Sequence, residues 1–299
     1  LIDGEPLIGR YTGSLELNRL AIGNIRQIEI VKGPSSSLYG SEALAGVVNI
    51  ITEKPSISRL EVSARYGTNN TADLSAQGTI KGRNLSAYFF GDRYSTSGYD
   101  LSPKNFGKTV SPFLNNTLQT RITWKPGKAT EAGISARYFN ETQRFNFEVT
   151  NSGVPTRTTG TGTTHDWNLN PVLHHRFSEH LRLTARLYMT HFRTGTGLYL
   201  ESGGDLYYSD HFSQRFTRPE SVLTWFVNNR NIVTAGTGFI HESVSTSRYG
   251  DEAKRTQQTA YGFVQHEWTP KSGLTVITGA RVDRNNVFGN QASPKLSAS

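Results

Sequence analysis

The chain has eight histidines and a set of carboxylates, the side chains best suited to metal binding or acid–base work. Such work needs two or more of them in one coordination sphere or across one cleft. His174 and His175 are adjacent in an alternating segment, so they point to opposite faces and cannot share an ion. His165, His191, His211 and His241 lack ligand-like spacing. Asp205 and Asp210 stand with Tyr207 and Tyr208 in a polar stretch that reads as a solvated loop. Gly33 beside Lys32 and Ser35 invites a phosphate-loop reading, but the spacing G-x-x-x-x-G-K-S/T is absent. There is no Cys, so disulfide scaffolds, Cys-based zinc sites and thiol catalysis are excluded. No catalytic residue, no metal site and no cofactor is expected.

The elements that position these residues have a clear texture. Hydrophobic residues make up 35% of 299, low for a chain this long with a conventional core, while Gly, Tyr and Phe are plentiful. From about Ser58 onward apolar residues alternate with polar ones at a period of two. Leu60, Val62, Ala64 and Tyr66 share one face, and Leu181, Leu183, Ala185, Leu187 and Met189 share another. Arg65, Arg121, Arg137, Arg182, Arg186 and Arg281 all fall on the polar faces of their segments. The segments 85–94 and 257–268 alternate less cleanly, and their faces stay unassigned.

Short turns are expected at 67–71, 81–84, 125–128, 178–180, 228–231 and 270–273, and longer links at 96–114, 143–163, 195–214, 247–256 and 284–291. Beyond the short turn at 67–71, short and long connections alternate, as they do in an outer-membrane barrel. About eleven strands are expected, with a twelfth beginning at 292–299. Trp124, Tyr138, Trp225 and Trp268 lie near expected strand ends, where an aromatic girdle sits. A soluble sandwich also alternates, but it places its long crossovers irregularly. The formal charge of +8 reads as Arg spread over polar strand faces; no basic stripe or reader motif points to nucleic acid.

Residues 1–54 are more compact and Gly-punctuated. Arg26–Lys32 reads as a strand, Gly33–Pro34 as its break, 41–45 as a short helix, and Val47–Ile51 as a strand buried on both faces. Three runs carry a specific likeness: Ile28-Glu29-Ile30-Val31-Lys32-Gly33-Pro34, Leu38-Tyr39-Gly40, and Ala45 to Thr52 with Gly46 and Asn49 inside it. Ile2-Asp3-Gly4 adds an earlier strand. The stretch closely resembles the plug of TonB-dependent outer-membrane receptors.

The resemblance implies a mainly β fold: a transmembrane antiparallel up-and-down barrel, 22-stranded when complete, with part of a small α+β plug. Residues 1–54 are the expected end of the plug, and 55–299 the first part of the barrel. Both chain ends interrupt a pattern, and both are read as cuts, so the sheet is expected to carry two open edges. The implied activity is uptake of a scarce large nutrient, a ferric siderophore or haem first and cobalamin next, energised by the TonB complex of the inner membrane through a segment before Leu1. A passive porin or adhesion barrel is the alternative. The implied location is the outer membrane, crossed many times, with lipid around a monomer and room for a surface lipoprotein partner.

Lys32 stands where the family commonly has Arg, and with Glu29 it is expected to contact the barrel wall. Arg10 and Tyr11 near the plug apex, and Tyr99, Phe145, Tyr207, Tyr208 and His211 in the long links, are the expected ligand contacts. Tyr and Arg suit anionic, aromatic-rich chelates through stacking and charge.

Overall fold

The computed structural model describes residues 1–9, 19–20, 25–32, 46–52, 57–151, 153–250 and 254–298. Strands β1 (Ile25–Lys32) and β2 (Gly46–Thr52) pair as an antiparallel two-stranded sheet, and Ile2 adds a parallel bridge to Ile50. Gly46 has φ of 141°, and a Cβ there would lie 2.4 Å from the Val31 carbonyl oxygen, so the start of β2 requires glycine. Val47 is buried, but Val48 on the other face is half exposed, as are Ile28 and Ile30 of β1. The expectation that β2 is buried on both faces is therefore corrected: these apolar side chains cover one face of a two-stranded sheet and leave the other open. Gly33, Pro34, Tyr39 and Gly40 of the motif, and the expected helix 41–45, lie outside the described residues.

A second sheet has twelve strands in strict chain order. They are β3 (Arg59–Gly67), β4 (Thr71–Lys81), β5 (Leu85–Thr96), β6 (Phe113–Trp124), β7 (Thr130–Asn151), β8 (Val154–Arg176), β9 (Leu181–Leu200), β10 (Leu206–Asn228), β11 (Asn231–Thr246), β12 (Lys254–Lys271), β13 (Leu274–Asn285) and β14 (Gly289–Ala298). Each pairs antiparallel with its chain neighbours, with no crossover. This is an up-and-down meander and excludes a Greek-key sandwich.

Register carries each face across the whole sheet. One row links Leu85, Trp124, Ala132, Leu173, Ala185, Ser221, Thr237, Gly262, Val282 and Ala292, all apolar, small or uncharged. A row on the opposite face links Glu61, Gln77, Phe90, Gln119, Arg137, Asn168, Thr190, Phe216, Glu242 and Gln257. The first face is the outward one; the second is turned toward β1, β2 and residues 1–9. The same parity places 85–94 and 257–268, with Phe89 outward and Tyr88, Phe90 and Tyr261 inward.

Outward positions stay apolar or small for only part of each strand. In β9 the run is Leu181 to Met189, followed by His191 and Arg193; in β8 it is Leu173 to Trp167, followed by His165. A run of this length matches the 9–11 residues that a tilted strand needs to cross a bilayer. Trp124, Trp225 and Trp268 mark its edge at the short-turn end, and Tyr138 and Trp167 mark the other.

Strands β7, β8, β9 and β10 run 22, 23, 20 and 23 residues, so they continue well past this band. The links expected at 143–163, 195–214 and 284–291 are corrected here, since most of their residues pair in ladders. Their polar, Thr- and Gly-rich composition hid them: beyond the membrane both faces are wet, so the apolar alternation stops while backbone pairing continues. The link at 97–112 is irregular, held by bridges Tyr99–Val110 and Gly107–Phe147.

Candidate functional site

The inward face meets residues 1–9 and 19–20 in a chain of buried charges. It begins with a turn. Ile2 N donates to the Glu5 carbonyl at 2.9 Å and Glu5 N returns to the Ile2 carbonyl at 3.0 Å. Asp3 and Gly4 have φ of 50° and 85°, the left-handed conformation that Asp tolerates and Gly favours. Gly4 N donates to Asn49 Oδ1 at 2.9 Å, and Asn49 Nδ2 donates to Glu29 at 3.2 Å, so β1 and β2 hold the turn in place. The Asp3 carboxylate accepts from Thr52 N at 2.9 Å and Thr52 Oγ1 at 2.6 Å, and from Arg121 of β6 at 2.6 Å.

Two residues on, Glu5 is buried against β8, β9 and β10. It accepts from Arg218 and, at 3.3 Å, from Arg186, with Asn170 at 3.4 Å. Arg186 also lies 3.3 Å from Glu220, which accepts from the Tyr261 hydroxyl at 2.6 Å. Burial pushes the Glu5 carboxyl above its ordinary range, while Arg218 and Arg186 pull it back. Tyr188 donates to the Pro6 carbonyl at 2.8 Å, and Gly9 N donates to Gln214 Oε1 at 2.8 Å. Gly9 lies flat on the Phe192 ring, where a Cβ would come within 2.5 Å, so the close approach requires glycine.

Arg19 closes the network. Its side chain and that of Asp166 are both 0% exposed, and they meet at 3.0 Å. Arg137 binds the same Asp166 oxygen at 3.0 Å and also reaches the Arg19 carbonyl. Arg19 donates to the Ile8 carbonyl at 2.7 Å, and its guanidinium lies 4.4 Å over the Phe192 ring. Ile8, Tyr188, Phe192 and Phe216 form a buried apolar cluster beside it. Charged hydrogen bonds in a dry interior are strong, and removing one partner strands the others. A cavity bounded by Ile2, Asp3, Glu5, Arg137 and Tyr188 measures about 30 Å³, room for little more than a water-sized solute.

The residues singled out by sequence fall elsewhere. Glu29 and Lys32 are exposed, and Glu29 accepts from Gln27 and Asn49 within its own sheet. Arg10 and Tyr11 lie outside the described residues. Tyr99 sits in the 97–112 link. Phe145, Gly160, Leu198 and Tyr208 share one register row across β7 to β10 on the inward face. Glycine leaves room there: a Cβ at Gly160 would meet Leu198 at 2.5 Å, and one at Gly162 would meet the Phe145 ring at 2.8 Å. Tyr208 donates to Asp210 at 2.9 Å. Tyr207 is exposed, and His211 has the parity of the outward face. The structure thus brings Phe145 and Tyr208 to one level and sets His211 apart from them.

Sequence reasoning missed Asp3, Glu5, Arg19, Asp166 and Arg218 as a set. A signal existed for the strand members, because Arg121, Arg137 and Arg186 already stood on polar faces. A charge retained mid-strand on the inward face implies a counter-charge. Asp166 comes to Arg137 from the neighbouring strand, whereas Asp3 and Glu5 reach Arg121 and Arg186 across more than a hundred residues of chain.

Residues 1–47 match the family model of the TonB-dependent receptor plug domain. The fold is similar to the siderophore receptor PirA from Acinetobacter baumannii, with TM-score 0.69 and 16% identity over 100% of this chain and 50% of that one. It is similar to PirA from Pseudomonas aeruginosa, with TM-score 0.69 and 18% identity over 100% and 50%. A mutant of the ferric enterobactin receptor PfeA from Pseudomonas aeruginosa gives TM-score 0.72 and 16% identity over 100% and 51%. The chain therefore spans about half the length of the solved structures it matches. Residues 1–47 thus carry the plug-domain match, and the sheet that follows has the fold of part of an outer-membrane barrel, an architecture that crosses the bilayer many times.

Proposed function

We propose that this TonB-dependent receptor plug and part-barrel takes up a scarce, large solute across the outer membrane, with energy supplied through the TonB complex. A ferric siderophore is the first ligand class, with haem and then cobalamin behind it. Support comes from the solved structures of similar fold, which are named as siderophore and ferric enterobactin receptors. The single observation that carries the reading is the buried charge network between Glu5, Arg19 and the wall. A passive pore has no use for an inward face closed by salt bridges. A device opened by applied force needs a closed state held this way, because separate ion pairs and a small apolar cluster can part stepwise.

Several finer assignments belong to the same proposal. The complete barrel has 22 strands, the number of the plugged outer-membrane transporters. The plug ends near residue 54 and the barrel begins at 55, a boundary favoured by the gap between β2 and β3. Ligand meets Phe145 and Tyr208 on the inward ledge, with Tyr99, Tyr207, Arg10, Tyr11 and His211 contributing around it. Glu29 and Lys32, exposed on β1, face wall strands outside this chain. The receptor is a monomer, and a surface lipoprotein can cap it.

The test is a binding and permeability pair on the full-length protein in lipid vesicles. Tryptophan fluorescence titrated with ferric catecholate and hydroxamate chelates, haem and cobalamin should show saturable binding to one class only. The same vesicles should resist swelling in small sugars. Swelling with no saturable ligand would favour the passive pore.

A further inference from the structure

The outward face carries a second set of charges that the plug contacts leave unused. Just past the apolar band one register row runs Arg93, Asn116, Asn140, His165, Arg193 and Ser213. The row beneath it holds Tyr138, Trp167, His191 and Arg215. Where β8, β9 and β10 lie side by side, His165 is opposite Arg193, and His191 is opposite Arg215. Arg193 and Arg215 are then diagonal neighbours, about 7–8 Å apart at the backbone. That is within reach for two guanidinium groups to grip one phosphate. Both arginines are exposed.

The girdle aromatics hold the histidines from below. The Tyr138 hydroxyl and His165 Nδ1 are 3.3 Å apart, and Trp167 meets His191 edge to face at 6.3 Å. His191 Nε2 lies 2.9 Å from Ser213 Oγ.

The contrast with the inward face is chemical. There Arg121, Arg137, Arg186, Arg218 and Arg281 each face a carboxylate. Around Arg193 and Arg215 the outward neighbours are Thr163, Gly195, Ser213, Thr217 and Ser243, with no carboxylate among them. Two permanent cations side by side with no counter-ion among the described residues repel, so the arrangement is complementary to an anion. The patch also lies at the edge of the apolar band on the side away from the short turns, the extracellular edge in an outer-membrane barrel.

We propose that Arg193 and Arg215, flanked by His165 and His191, bind the phosphate of an outer-leaflet lipid headgroup whose acyl chains lie along the band from Leu181 to Met189. The proposal rests on the outer-membrane reading. An Arg at this height costs far less than one at mid-bilayer, and its planar fork suits a phosphate.

The experiment uses the full-length protein, extracted in mild detergent, as wild type, as Arg193→Gln/Arg215→Gln, as Arg193→Lys/Arg215→Lys, and as Arg93→Gln on β5. Each is incubated with bis-phosphorylated lipid A or its dephosphorylated form, and bound lipid is counted by native mass spectrometry. Heat-dependent gel migration reports the folded barrel separately, so loss of the membrane fold is not mistaken for loss of the site. The double Gln variant should bind phosphorylated lipid about tenfold less, as loss of two charge-assisted contacts implies. The double Lys variant should keep part of the binding, and Arg93→Gln all of it. Wild type should discriminate against the dephosphorylated lipid and resist competition by inorganic phosphate. A folded double Gln variant that binds like wild type overturns the proposal. Equal competition by inorganic phosphate reduces it to an anion site and overturns the lipid assignment.

Discussion

At the residue scale, Asp166 has the most consequential position. One of its oxygens serves both Arg19 and Arg137, and the side chain is fully buried. Replacing it with alanine removes the buried carboxylate that Arg19 and Arg137 share, a loss of about 3–5 kcal/mol. That loss falls on the docking of Arg19 and the plug segment around it and leaves the strand ladders intact. Asp166→Ala in the full-length protein should therefore make the plug sensitive to protease in intact outer membranes while the barrel still migrates as folded. Unchanged plug protection would show that the triad contributes little to closure. Glu5 differs in having two separate partners, Arg186 and Arg218, on adjacent strands. Its contacts secure the plug segment to β9 and β10, whereas Asp166 secures it to β7 and β8.

At the element scale, the outward face of each strand sets the cost of a charge by its height. Leu187 lies in the middle of the apolar band of β9, and Thr184 lies three residues away on the inward face beside His174. Leu187→Arg should lower barrel stability by about 2–4 kcal/mol in urea titrations of vesicle-inserted protein, with Thr184→Arg costing much less. Equal losses would contradict the assignment of faces.

The same elements show what sequence could and could not convey. Inside the bilayer the solvent differs on the two faces, so residues such as Leu181, Leu183 and Leu187 announce both strand and orientation. Above the bilayer both faces meet water, and the stretches 143–163 and 195–214 lose their alternation although they stay paired. The turns at 82–84, 229–230 and 272–273 were legible because strands there end within the membrane edge. Ile2-Asp3-Gly4 was legible as a plug motif but reads as a strand; only Ile2 makes a bridge to Ile50, and 2–5 is a tight turn because Asp3 and Gly4 adopt positive φ. Asp3 finds Arg121, and Glu5 finds Arg218, only once the chain has folded around them.

At the scale of the whole molecule, a wall of twelve strands with a lipid-facing and an inward side is tied by buried charges to the described plug residues on its inward face. Among the described residues, the cavities of about 30 and 20 Å³ between plug segment and wall hold little more than water-sized solutes. On the proposed function, passage of a large ligand requires the plug to part from the wall, with the work supplied from the inner membrane. The most direct test is accumulation of an iron-55-labelled siderophore in cells whose only receptor is the full-length protein, measured with and without TonB. The account predicts surface binding in both strains and accumulation only where TonB is present. Equal accumulation in both strains would contradict the plugged, energised transporter and leave a passive channel.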